Sequence, residues 1–262
     1  KCESASRPRC SPRLVPVSWL VTASISLWYH VGTSLVWLDN LCRSSCGVQA
    51  GAMLSLDDLQ LALQYRSNTG LLARDFYAKC LSVSSRFYRA AGFFSSSVFT
   101  TCPLEFHGFF ARGGVIQLVC CPILSRGDIS ALHAGYVNRP SLMRAERLGL
   151  LLQNAQDLQR GLSGLVAYLT ATSRLELKVA VVQNARGSEI YHEKIGLFED
   201  AEGNRVAFVG SANETRAALM SNFEVVDIYR SWEETESQRV TRKLLDFSSL
   251  WESDTLGLSV LP

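Results

Sequence analysis

From residue 53 onward, apolar and polar positions recur with periods that divide the chain into helices and strands. In LSLDDLQLALQY, Leu56, Leu59 and Leu63 stand at helical spacing and predict a short amphipathic helix. Residues 87–95 (FYRAAGFFS) read as a strand ending in a serine-rich turn. Residues 99–111 read as a helix stopped by Gly113-Gly114, and residues 115–121 as an apolar strand covered on both faces, which together make a β-α-β unit. Leu148, Leu151, Leu152, Ala155, Leu158, Leu162, Leu165, Val166 and Leu169 follow at three- and four-residue intervals, the mark of a long core helix. LELKVAVV (175–182) alternates as a strand. Three more strands are predicted at 191–198, 205–209 and 223–229, the first two joined through the hairpin-forming EDAEGN, and a last helix at 234–251. The expected class is α/β.

The first 52 residues do not share this patterning. They mix Arg-Pro-rich sequence with an apolar stretch, 17–38, that has the length of a membrane span. Ser18, Thr22, Ser24, Ser26, His30, Thr33 and Ser34 dilute that stretch, and it carries no helical stripe, so it is read as no membrane segment. Residues 1–52 are left unassigned, as a non-native or disordered extension, and residues 53–262 are taken as the domain.

With 47% apolar residues in 262, the chain is able to bury a core. Its net charge is only +2, and because residues 1–52 hold five Lys/Arg against two Asp/Glu, residues 53–262 come to −1. That excludes a globally basic surface. A polyanion would have to be held by local clusters such as Arg86, Arg89 and Arg112, or Arg139, Arg144 and Arg147, although solvated surface arginines account for them equally. The cysteines, at 2, 10, 42, 46, 80, 102, 120 and 121, show neither CxxC pairing nor a histidine cluster. They are read as free thiols in a reducing, cytoplasmic compartment, with no metal site.

The chemistry concentrates in YHEKIGLFEDAEGNRVAFVGSANETRAALMSNFEVVDIY. If these segments are strands, alternate residues share a face, so His192 and Lys194, Ser211 and Asn213, and Asn222 and Glu224 would converge. Imidazole, ammonium, hydroxyl, amide and carboxylate together suit a phosphodiester centre: a nucleophile or acid-base group, positive charge and neutral donors for nonbridging oxygens, and an orienting acid. Each motif alone is commonplace. Their order, with IGLF, VAFV and VVDIY around them, sets this window apart.

His192-Glu193-Lys194, Gly210-Ser-Ala-Asn213 and Asn222-Phe-Glu224 resemble the signature of the phospholipase D-like (HKD-type) phosphodiesterases, which include lipases, endonucleases and transferases. The nearer resemblance is to the domain that precedes bacterial DEAD/DEAH-box helicases of restriction and phage defence; it runs through RFYRAAGFFSS and GGVIQLVCCPILSRGDISAL to the C-terminal LWESDTLGLSVLP, about residues 87–262. The resemblance implies a mixed β-sheet flanked by helices, with a single repeat per chain. It implies that His192 attacks phosphorus to give a phosphohistidine. Lys194 and Asn213, with Ser211 nearby, would bind the nonbridging oxygens, and Glu224 would orient the imidazole; no cofactor is needed. The second histidine of that mechanism is not supplied by His107 or His133, neither of which has a lysine two positions on, so a homodimer with one shared site is expected.

Two departures stand out. Five residues after the lysine, where the family has aspartate, this chain has Glu199 followed by Asp200, which leaves the acidic role open, and the loop to Gly210 is longer than in compact members. No Gly-x-x-x-x-Gly-Lys-Ser/Thr occurs, so a helicase domain or subunit would lie outside this chain. The leading expectation is a metal-independent DNA endonuclease. The alternatives are a lipid phosphodiesterase and a non-catalytic nucleic-acid-binding or dimerisation module.

Overall fold

The computed structural model describes residues 54–137, 158–184 and 189–262. The strands are β1 (Gln64–Arg66), β2 (Arg86–Ala91), β3 (Val115–Cys120), β4 (Leu175–Val182), β5 (Ile195–Glu199), β6 (Arg205–Gly210), β7 (Val225–Arg230) and β8 (Leu258–Leu261). The helices are α1 (Ala78–Val83), α2 (Pro103–Ala111), α3 (Arg126–Val137), α4 (Leu158–Ala171), α5 (Arg216–Met220) and α6 (Glu234–Trp251). The strands make one mixed sheet in the order β1-β7-β6-β5-β2-β3-β4-β8. β2, β3 and β4 are parallel, and every other neighbouring pair is antiparallel. The α/β class and the flanked mixed sheet are therefore as expected.

Side chains alternate across this sheet into two cores. Phe87, Ile116, Phe198, Phe208 and Ile228 face α1, α2 and α4, whereas Ala90, Val119, Leu197 and Ala207 face Val240, Phe247 and Leu250 of α6. In the first core the rings of Phe87 and Phe198 stack with centroids 4.3 Å apart. Cys80, Cys102, Cys120 and Cys121 are buried free thiols that pack as small apolar residues. Among the described residues no helix is long and apolar enough to cross a membrane. The stretch at 17–38, the boundary at 52 and 53, the arginines at 139, 144 and 147 and the predicted helical residues 148–157 lie outside the described residues.

Local chemistry explains where the elements differ from expectation. No helix forms at Leu56–Leu59–Leu63, because the Ser55 amide donates to Asp58 (2.9 Å) and the Leu56 amide to Asp200 (2.9 Å), making a turn. Leu63 is largely exposed, and its carbonyl accepts from Ile228 (2.8 Å) on the way into β1. The helix forms later instead: a π-turn over Ala73–Tyr77 runs into α1 and buries Ala73, Phe76, Tyr77, Cys80 and Leu81 as one stripe. The helix expected from residue 99 starts only at Pro103, after a 3-10 turn at Ser96–Thr100. Proline at the first helical position forces the preceding residue out of helical geometry, and Cys102 has φ −143° and ψ 70°.

One correction bears on the site. β5 begins at Ile195, so residues 191–194 are not strand. His192, Lys194, Ser211, Asn213, Asn222 and Glu224 all lie just outside β5, β6 and β7. What gathers them is the register: Ile195 pairs with both Ala90 and Val209, and Gly210 pairs with Val226, so these segments leave the sheet at the same end.

Candidate active site

His192 stands exposed at that end of the sheet, its ring edge-on to Phe93 with centroids 5.8 Å apart. The ammonium of Lys194 lies 3.0 Å from Nδ1 and 3.1 Å from Nε2, and donates to the His192 carbonyl at 3.1 Å. Because the two lone pairs of an imidazole diverge, a cation equidistant from both nitrogens lies along neither. Partial burial lowers the Lys194 pKa below its ordinary value, Arg89 adds to the effect, and the charge of Glu224 opposes it. Glu224 is therefore within electrostatic reach of the lysine.

Beneath the imidazole lies Gly92, just past the end of β2. A Cβ there would sit 2.5 Å from His192 Cδ2 and 3.1 Å from Asn213 Oδ1. The same Oδ1 accepts the Phe93 amide at 3.1 Å, which fixes the Asn213 side chain and leaves its amino group to donate. His192, Lys194 and Asn213 thus meet over a glycine floor.

Ser211 and Glu224 form the adjoining part. The Ser211 hydroxyl donates to Glu224 Oε2 and accepts the Val225 amide (3.1 Å), while Asn222 donates to Glu224 Oε1 (3.1 Å). Ser67, after β1, accepts the Glu224 amide through its hydroxyl at 2.9 Å. The carboxylate is thus turned toward Ser211 and Asn222, and makes no hydrogen bond to His192, the contact expected of an orienting acid.

Glu199 and Asp200 belong elsewhere. They close the far end of β5, about 17 Å along the strand from Lys194 at some 3.4 Å per residue. Glu199 pairs with Arg205 at 2.6 Å. Asp200 is buried and accepts the amides of Leu56 (2.9 Å), Glu202 (3.1 Å) and Asn204 (2.9 Å), so it organises the hairpin. Of the basic clusters, Arg89 is buried and Arg86 and Arg112 lie at this same far end. His107 and His133 lie on α2 and α3 and make no hydrogen bond or ring contact with the site.

A basic groove of about 430 Å³ lies between α6 and the face of β6 and β7 it covers, lined by Val209, Tyr229, Gln238, Arg239, Arg242 and Lys243. Arg239, Arg242 and Lys243 share one helical face, and Val209 pairs with Ile195, the residue after Lys194. Arg239 lies over the Tyr229 ring at 5.2 Å. Asp246 partners Arg242 (2.9 Å) and Lys243 (3.5 Å), and Asp227 faces Val209 across the sheet.

No protein-family model and no curated protein matches the chain. Solved structures similar to it include NucT from Helicobacter pylori (14% identity, 71% of this chain and 94% of that one, TM-score 0.39). Another is Nuc from Salmonella typhimurium, a phospholipase D family member (13% identity, 68% and 86%, TM-score 0.38). A yeast tyrosyl-DNA phosphodiesterase 1 matches over 56% of this chain and 26% of its own length (10% identity, TM-score 0.33).

The sequence pattern missed Gly92, Phe93 and Ser67, and also Glu214 beneath the site, and it put in a surface cluster the buried Arg89. An arginine within FYRAAGFF, and a glutamate directly after Gly-Ser-Ala-Asn, are the signals that mark the last two.

Proposed function

We propose that the chain is a metal-independent phosphodiesterase that cleaves DNA through a phosphohistidine, at a site completed by a second copy of itself. The observation that carries this reading is the meeting of Lys194 and Asn213 on the exposed ring of His192 over Gly92. In the reaction, a ring nitrogen of His192 attacks phosphorus and the P–O bond to the leaving group breaks. Lys194 and the Asn213 amino group hold the nonbridging oxygens, with the Ser211 hydroxyl beside them. The departing alkoxide takes a proton from the partner's His192, which next removes a proton from water; that water attacks phosphorus and releases His192. Glu224 turns from Ser211 to the imidazole when substrate enters.

The exposure of His192, and the lack of any hydrogen bond or ring contact from His107 or His133 to the site, support the shared site. The groove along α6 supports DNA as the partner: it offers Arg239, Arg242 and Lys243 beside Val209, which pairs with Ile195, the residue after Lys194, in a domain whose net charge from residue 53 on is only −1. A helicase domain or subunit would deliver the strand.

The test is cleavage of plasmid, single-stranded DNA and bis(4-nitrophenyl) phosphate in EDTA by the wild type and His192→Ala. The expected result is turnover by the wild type, none by the variant, and unchanged DNA affinity. Cleavage by His192→Ala, or by a wild type that is monomeric in solution, would overturn the corresponding part.

A further inference from the structure

Arg89 is fully buried in β2, and all but one of its five N–H groups are accounted for. Nε donates to Glu214 (2.7 Å), Nη1 to the carbonyls of Ala90 (2.8 Å) and Ile195 (3.0 Å), and Nη2 to the carbonyl of Ala212 (2.5 Å). Each carbonyl is next to, or two residues from, a residue of the site: Ala90 precedes Gly92, Ile195 follows Lys194, and Ala212 precedes Asn213. One rigid fork therefore ties together the three segments that meet at His192. Glu214 extends the tie. Its carboxylate accepts the Tyr77 hydroxyl at 3.0 Å, its amide donates to the Phe93 carbonyl at 3.1 Å, and its own carbonyl accepts the Ser95 amide at 3.0 Å.

We propose that the Arg89–Glu214–Tyr77 network is a positioning device that sets the spacing of His192, Lys194 and Asn213. A purely stabilising role does not require an ion pair here, because well-packed apolar residues of similar size generally stabilise such a site as well or better. Lysine could keep the charge but would offer a point donor in place of a planar fork, and would not reach three carbonyls on different segments at once. Burial pushes the Glu214 carboxyl up, against the pull of Arg89 and Tyr77. The positioning role rests on the proposed site.

Two variants test it. Arg89→Lys keeps the charge, and Arg89→Met/Glu214→Leu removes both charges without leaving either alone. Thermal melting and oligomeric state establish folding, turnover of bis(4-nitrophenyl) phosphate gives kcat and KM, and His192 ring resonances titrated with inorganic phosphate give an affinity independent of turnover. For whichever variant folds, kcat is expected to fall about 100-fold, the usual consequence of misplacing a reacting group by about 1 Å. KM should change far less, and phosphate affinity should weaken with displaced His192 resonances. A folded Arg89→Lys or double variant with wild-type kcat and wild-type phosphate affinity overturns the proposal. A wild type that binds phosphate but turns over no diester would sink the proposed function alone, because phosphate affinity still tests the network.

Discussion

Replacing Gly92 by alanine adds one methyl group directly under the reacting ring. Its position is fixed by the backbone: 2.5 Å from His192 Cδ2, 3.1 Å from Asn213 Oδ1 and 3.2 Å from His192 Nε2. Carbon atoms in contact sit about 3.5–4.0 Å apart, so the imidazole has to retreat by about 1 Å. Gly92 does not occupy the left-handed region, so alanine strains no backbone angle there. The ring is exposed and able to swing outward, so the cost to folding should stay under about 1 kcal/mol, far below that of overpacking a closed core. Catalysis has no such escape: a displacement of about 1 Å typically costs roughly 100-fold, or about 2.7 kcal/mol on the barrier. The assay pairs kcat on bis(4-nitrophenyl) phosphate with a thermal melt. A folded Gly92→Ala enzyme with wild-type kcat would refute the placement of His192 at the reacting centre.

Three further outcomes follow from the geometry. Asp200→Ala removes a buried carboxylate that accepts several hydrogen bonds; it should cost about 2–3 kcal/mol and lower the melting temperature by about 4–12 °C while leaving kcat unchanged, which a catalytic role for this acid would not allow. Arg239→Gln/Lys243→Gln should weaken binding of a single-stranded oligonucleotide and reduce the slope of log affinity against log salt by about 2 while sparing turnover of the small diester; an unchanged slope would remove the groove from the DNA path. Lys194 gives up its proton at lower pH than an ordinary lysine, chiefly through partial burial, so its ammonium is fully present below that depressed value and lost as pH rises through it. Phosphate affinity should then decline on an alkaline limb below the ordinary lysine value, and a limb that Lys194→Arg leaves in place would assign it to another group.

The site's polar residues were legible because three short motifs fall in one window, but they sit on segments just outside the strands rather than on the strands themselves. Tyr-His-Glu-Lys does not alternate as a strand would: Tyr191 is buried, but Glu193, two residues on, is exposed like His192, and no ladder pairing begins before Ile195. The α1 stripe was readable at its i, i+3, i+4, i+7 and i+8 positions, whereas the leucines at 56, 59 and 63 carried a helical spacing that Ser55, Asp57 and Asp58 override with local turn bonds. Gly92 was illegible, and Arg89 was placed in a surface cluster, for another reason. Their partners lie 100 or more residues away, and the pairing of β2 with β5, and of β5 with β6, brings them together.

That pairing also explains how the parts of the site divide in character. The segments are fixed from below, by a guanidinium whose bonds reach backbone carbonyls that side-chain motion cannot withdraw. The reacting groups above are held largely by one another: Lys194 by the imidazole and carbonyl of His192, Glu224 by Ser211 and Asn222. Each of those bonds uses a group that the proposed reaction needs elsewhere. A phosphodiester entering the site would draw Lys194 from the ring onto a nonbridging oxygen and free the nitrogen that attacks, with Asn213 already braced against Phe93 to receive another oxygen. The exchange replaces an interaction between two side chains with one to substrate and leaves the backbone frame in place, so little of the geometry has to be rebuilt at the moment of reaction.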